Sequence, residues 1–262
     1  MGNQGKEVIQ PKTPDEIGKM QAAGRIVRYA LMAMQDAIGP GVSTTMDLER
    51  AAAQAITEMG GTPAFLGYAP MGHPPYPAWT CISVNEEVIH GIPRQRVLEH
   101  GDIVGCDVGV KLNGYYADSA WTFPVGRIEP ETERLLAAAE QALYEGIAQA
   151  KTGNRVGDIG HAIERHVRRC GFSVVHEMVG HGVGRALHEA PQVPNYGRRG
   201  TGPLLLEGTT LAIEPMVNMG SGRIEVLSDA WTVVTHDRKK SAHFEHTVAV
   251  TRNGGMILTQ GD

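Results

Sequence analysis

The stretch 101-GDIVGCDVGVKLNGYYADSAW-121 alternates along its length and carries Asn113-Gly114 near its centre. Asn-Gly between alternating runs signals a hairpin with a two-residue turn, because both central residues of that turn take positive φ. The turn sets a register with Leu112 opposite Tyr115, Gly109 opposite Asp118, and Asp107 opposite Ala120. Asp107 and Asp118 then become diagonal neighbours on one face, roughly 7–8 Å apart. Gly105, Gly109 and Ala120 share that face and should leave room above the sheet. Two carboxylates converging on an open patch repel each other unless protons or cations intervene. A metal is the economical explanation, and two unrelated surface aspartates are the alternative.

Outward from this hairpin, helix signals come in two pairs. Thr13-Pro14-Asp15-Glu16 reads as a capping box with proline at the first helical position. Apolar residues then recur at helical spacing from Ile17 to Leu31, until the break at Gly39-Pro40-Gly41. A second helix is expected from about Met46 to Met59, stopped by Gly60-Gly61. A third should start near Pro130 and run through Leu135, Leu136, Ala139 and Leu143 to Gly153. The fourth should cover about Val156 to Cys170 and stop at Gly171. Asp47-Leu48 precedes Gly60 by the same interval as Asp158-Ile159 precedes Gly171, and Phe65 and Phe172 follow. Strand-rich stretches, about 78–125 and 172–252, come after each helix pair. Residues 13–126 and 129–252 therefore read as two copies of a helix–helix–sheet unit facing across a cleft. The expectation is an α+β chain: a short N-terminal extension over 1–12, then a single catalytic domain over 13–262.

Bulk properties narrow the function. A formal net charge of -5 with no dominant basic stripe argues against DNA as a partner. Arg165 to Arg169, Arg198-Arg199 and Arg238 to Lys240 read first as solvated surface, with transient contact to a ribosome as the weaker alternative. Cys81, Cys106 and Cys170 lack any C-x-x-C spacing, so neither a disulfide framework nor a thiolate zinc site is indicated. The first residues carry no apolar secretory run, and no window reaches a membrane span. A cytoplasmic monomer is the expectation.

Three further segments carry chemistry. His181 lies between glycines in Gly180-His181-Gly182-Val183-Gly184, which gives its ring close access to a ligand; His188 follows seven residues later. Glu214 closes the apolar run Thr209 to Ile213 and is followed by Pro215, an unusual place for an acid. Glu245 lies in the run His243 to Val250, sharing a face with Thr247 and Ala249. Buried carboxylates need partners. Taken singly, each glutamate is more often a salt-bridged or hydrogen-bonded acid than a ligand, and glycine-flanked histidines also occur in plain turns. Four carboxylates and one imidazole together suit borderline-to-hard divalent ions.

Together, Asp107 and Asp118, His181 in Gly-His-Gly, Glu214 in Ile-Glu-Pro and Glu245 in Phe-Glu-His-Thr resemble the metal set of type I methionine aminopeptidases. Ser83-Val84-Asn85-Glu86 before His90-Gly91-Ile92-Pro93, His188-Glu189 and Asp229-Ala230-Trp231-Thr232 are similar to that family too. The resemblance spans about residues 13–252 and implies the pita-bread fold with a dinuclear metal site in its central cleft. It implies two divalent ions (Co, Mn, Fe or Zn) on Asp107, Asp118, His181, Glu214 and Glu245, with Asp118 and Glu245 bridging. It further implies Glu214 as proton acceptor, His188 on the substrate carbonyl oxygen or the developing oxyanion, and His90 on the scissile amide nitrogen or neighbouring backbone. The implied methionine pocket is walled by Tyr76, Cys81 and Trp231, and a monovalent cation would sit near Asn85 and Ser241. Two departures stand out. Leu187 precedes His188 where the family often has an aromatic residue, and the loop 68–79 is long and proline-rich, with His73 at a spot often held by an aromatic ring. The activity implied is removal of initiator methionine from peptides and nascent chains with a small second residue. A proline-directed pita-bread peptidase is one alternative, although those relatives carry an extra N-terminal domain. A non-catalytic binding protein of the same fold is the other, and it would be expected to have lost ligands.

Overall fold

A computed structural model describes residues 9–70 and 72–260. Most of the expected extension 1–12 and Met71 of the loop 68–79 lie outside the described residues. The first half runs α1 (Pro14–Asp36), α2 (Thr45–Glu58), β1 (Thr62–Pro63), β2 (Thr80–Val84), β3 (Glu87–Ile89), β4 (Ile103–Leu112) and β5 (Tyr115–Pro124). The second opens with α3 (Pro130–Ile147) and α4 (Val156–Arg169). Its strands begin with β6 (Ser173–Val174), β7 (Gly180–Gly182), β8 (Glu189–Val193), β9 (Thr210–Ile213) and β10 (Met216–Asn218). They continue with β11 (Ile224–Val226), β12 (Val233–Thr235), β13 (Ser241–His243), β14 (His246–Val250) and β15 (Gly255–Ile257).

Local sequence accounts for the helix starts. Thr13 and Glu16 form the expected capping box, and Thr44 with Asp47 forms a second that starts α2 at Thr45. One boundary differs from expectation. The third helix ends at Ile147, not Gly153: a tight turn follows, and the Asn154 side-chain Nδ2 donates to the Gln149 carbonyl at 3.0 Å. Gly153 lies in that turn with φ +91.

The β4–β5 hairpin has the expected register throughout, including Leu112↔Tyr115, Gly109↔Asp118 and Asp107↔Ala120. Its outward residues, among them Val104, Cys106, Val108, Val110, Ala117 and Phe123, pack under α1 and α2 with Ile26, Leu48 and Ile56. Each large buried aliphatic contributes about 1.5–3 kcal/mol by leaving water, so the helix pair fixes which face of the hairpin is left for the cleft. The second half repeats the plan: Leu135, Leu143, Ile159 and Ile163 cover Leu211, Ile213, Val248 and Val250. Its five-stranded antiparallel sheet runs β15-β14-β9-β7-β8.

The halves meet along β5. Asp118 N–H donates to Thr247 Oγ1 at 2.9 Å and that hydroxyl donates back to Asp118 O at 2.8 Å. Ser119 Oγ donates to Glu245 O, and Glu245 N–H to Ala120 O. This seam brings the inward faces of both sheets to one cleft.

The sequence suggests an unbroken strand from His243 to Val250, but the structure interrupts it at Phe244-Glu245. The neighbouring strand breaks at Glu214-Pro215, between β9 and β10. Ile213 pairs with His246 and Met216 with His243 across the two breaks. Proline and the change of sheet end the ladder there, and each glutamate sits at its bend. No helix among the described residues is long and apolar enough to cross a membrane.

Candidate metal centre

The cleft holds a cavity of about 370 Å³ lined by Asp107, Asp118, His181, Glu214 and Glu245, together with His90, His188 and an apolar wall. Ligand atoms of Asp118, His181 and Glu245 all lie within 4.8 Å of one another. Asp107 and Asp118 lie on the same face of the hairpin as diagonal neighbours, Asp107 opposite Ala120 and Asp118 opposite Gly109. His181 Nε2 stands 3.6 Å from Glu214 Oε1. All five residues implied by the resemblance thus converge.

Asp107 Oδ1, Asp118 Oδ1 and Glu245 Oε1 are buried and meet no hydrogen-bond donor among the described residues. An unpaired buried carboxylate oxygen is costly. Burial and mutual repulsion push Asp107, Glu214 and Glu245 well above the usual carboxylate range, and burial raises Asp118 to about 7. A cation supplies what these oxygens lack. His181 Nδ1 lies 2.8 Å from Gly182 O, so it carries the hydrogen and donates it there, leaving the Nε2 lone pair toward the carboxylates. Burial holds this ring neutral, its pKa lowered to about 3. The donor set fits divalent ions: anionic oxygens, one neutral imidazole and no thiolate.

The glycines beside His181 have a different reason from ligand access. A Cβ on Gly180 would strike the Ala212 carbonyl oxygen, and one on Gly182 the Ala190 carbonyl oxygen. They let β7 lie close against its neighbours. Gly109 also differs from expectation: the space above it is filled by Phe65 and Ala64, with Phe65 Cε1 2.6 Å from a built Cβ.

Tyr76, Cys81 and Trp231 do come together, in a buried cluster with Phe65 and Leu187. Tyr76 turns its hydroxyl away, donating to Gly91 O and Thr80 O, and presents its ring edge-on to Trp231 at 5.1 Å. His73 lies over the same indole at 5.2 Å, its Nδ1 3.2 Å from Ala230 O. Buried Leu187 closes the wall.

His188 lies 4.1 Å, ring to ring, from His181, and His90 lies 6.0 Å from Trp231. Desolvation lowers both, His90 to about 4, so both are neutral donors or acceptors near pH 7. Sequence reading missed two neighbours. Tyr68 Oη is 2.7 Å from His188 Nδ1. His243, buried, places Nε2 3.8 Å from Glu214 Oε2 with no hydrogen-bond partner among the described residues. Only its place two residues before Glu245 hinted at this. Asn85 and Ser241 also meet, Ser241 N–H donating to Asn85 O at 2.9 Å. Both side chains are engaged within the protein, Asn85 with Ile103 and Asp102, Ser241 with Asn218.

The signature of metallopeptidase family M24 matches residues 18–252. The chain is 51% identical over 249 residues to methionine aminopeptidase 1 of Bacillus subtilis, covering 95% of this chain and 98% of that protein. The crystal structure of methionine aminopeptidase from Thermotoga maritima matches with TM-score 0.93 at 45% identity, over 97% of this chain and 100% of that one. Prolidase from Pyrococcus furiosus shares the fold at TM-score 0.78 and 23% identity, with 67% of its chain covered. The pita-bread architecture is therefore established, and the chain belongs to metallopeptidase family M24, among the methionine aminopeptidases.

Proposed function

We propose that this protein is a metal-dependent aminopeptidase that removes N-terminal methionine from peptides and nascent chains whose second residue is small. The observation that carries the reading is the single cleft joining a cation-demanding carboxylate cluster to a closed apolar pocket. Asp107, Asp118, His181, Glu214 and Glu245 would hold two divalent ions, with Co, Mn, Fe and Zn all compatible with the donor set. Bound there, such ions supply Lewis acidity toward the scissile carbonyl and acidify water.

The chain's own residues do the rest. Glu214 takes the proton of the attacking water, its carboxylate turned into the cleft at the bend between β9 and β10. With Tyr68 donating to His188 Nδ1, His188 carries its hydrogen on Nε2 and donates it to the substrate carbonyl oxygen. His90 contacts the scissile amide from the Trp231 side. Phe65, Tyr76, Cys81, Leu187 and Trp231 exclude water from the first side chain and accept a slim apolar one.

A peptide assay with defined metals tests the reading, comparing Met-Ala-Ser, Met-Lys-Ser and Ala-Pro-Ser. Cleavage of Met-Ala-Ser above the other two is expected. Cleavage of Ala-Pro-Ser without Met-Ala-Ser would mean a proline-directed peptidase, and no cleavage by fully metal-loaded protein would mean a binding protein.

A further inference from the structure

Lys12 stands just before α1, and its ammonium is inside the protein: the side chain is only 6% exposed. Lysine is almost never buried unless paired. Its Nζ donates to Gln10 O and to Glu189 Oε2, each at 2.8 Å, across 177 residues of chain. The other oxygen of Glu189 accepts the Arg185 and Ala186 amides at 2.6 and 3.0 Å. That carboxylate therefore ties off the turn leading into His188, its chain neighbour.

The segment is anchored where it stands. Lys12 N–H donates to Gly208 O at 2.7 Å, at the entrance to β9. Gly184, at the start of the turn, has the Lys12 stem packed where a Cβ would be, its Nζ 2.8 Å away. A second tie, Arg185 to Glu16 at 2.9 Å, is exposed on the arginine side. Exposed pairs contribute little. Losing Glu189 from the half-buried Lys12 pair is more costly, because it leaves an ammonium unpaired inside the protein. Lys12 is thus the cation that fixes this turn.

We propose that Lys12 is a positioning residue: through Glu189 it holds His188 at the substrate carbonyl, making the segment before α1 part of the catalytic architecture. The proposal rests on the reading of His188 as carbonyl-oxygen donor. A misplacement of about 1 Å at a reacting group can cost on the order of a hundred-fold in rate, so a loosened turn should show in kcat.

Lys12→Met keeps the stem and removes the charge. It is expected to lower kcat on Met-Ala-Ser by about ten-fold with KM within about two-fold. The cobalt stoichiometry, read by calorimetric titration, should be unchanged, because no ligand moves. Placed in a His188→Ala background, Lys12→Met should cost less than about two-fold, since residues acting through one group are non-additive. Glu189→Gln, which keeps acceptors for both amides and breaks only the ion pair, is the second variant and should show the same pattern should Lys12→Met not fold. Folded Lys12→Met with wild-type kcat overturns the proposal, as does a ten-fold loss that persists without His188. Full kcat in His188→Ala alone overturns instead the role of His188 on which the proposal stands.

Discussion

Glu214 and Glu245 occupy opposed bends in two neighbouring strands, with Ile213 paired to His246 before the bend and Met216 to His243 after it. An acid in a continuous ladder would alternate between core and cleft; an acid at a bend is released from the ladder and can turn inward. Here both turn into the same cavity. The four carboxylates so gathered repel one another unless protons or cations neutralise them.

Removing one member should therefore dismantle the centre. Glu245→Ala or Asp118→Ala is expected to lower kcat/KM by at least about a hundred-fold and to reduce bound metal per chain. Elemental analysis of the purified variants, beside the peptide assay, checks this. Full activity in either variant refutes the bridging roles.

Metal should also stabilise the fold. Stripping with a chelator and reloading with Mn or Co should raise the thermal midpoint with metal concentration. A free ion at a hundred times its Kd adds about 2.7 kcal/mol by mass action. A midpoint indifferent to added metal would count against the centre.

Gly182→Ala tests the close strand approach at β7. Its Cβ would meet the Ala190 carbonyl oxygen, a backbone atom that cannot swing aside. Overpacking of this kind costs about 1–3 kcal/mol, and the displacement falls on His181. A lower denaturation midpoint together with weaker metal binding is the expected result; unchanged metal affinity would show that His181 is placed independently of β7 packing.

Gly109→Ala tests the pocket wall. The new methyl would press Phe65 Cε1 and the Ala64 Cβ, at 2.6 and 2.9 Å. Phe65 should then shift against Tyr76, which meets it edge-on at 6.5 Å. KM for Met-Ala-Ser should rise more than kcat falls, and steady-state kinetics on that peptide decide it.

Glu16 carries a pH signature. The Thr13 amide, followed by the Tyr115 hydroxyl, holds its carboxyl down at about 2, against an ordinary 4.5. A depressed carboxylate contributes stability that is fully present above 4.5 and is lost as pH falls through about 2. The stability difference between the wild-type protein and Glu16→Gln should therefore shrink across that window. Denaturant unfolding at stepped pH measures it, and a constant difference would refute the assignment.

By itself the sequence determined the local facts. Asn113-Gly114 fixed the hairpin register and so the common face of Asp107 and Asp118, because turn geometry and the two-residue period of a strand are short-range. The capping box at Thr13 fixed the first helix start for the same reason. His181, Glu214 and Glu245 were named by resemblance, not by local pattern. Only the tertiary structure decided that they meet Asp118, since their approach depends on the β5–β14 seam and on paired strand bends far apart in the chain. It also decided the reasons for Gly109, Gly180 and Gly182, which lie in what packs against them. The ties from Lys12 to Glu189 and from Tyr68 to His188 were invisible in the sequence. A side-chain contact across so long a loop leaves no periodic trace; it exists only once the burial of both sheets has closed the cleft.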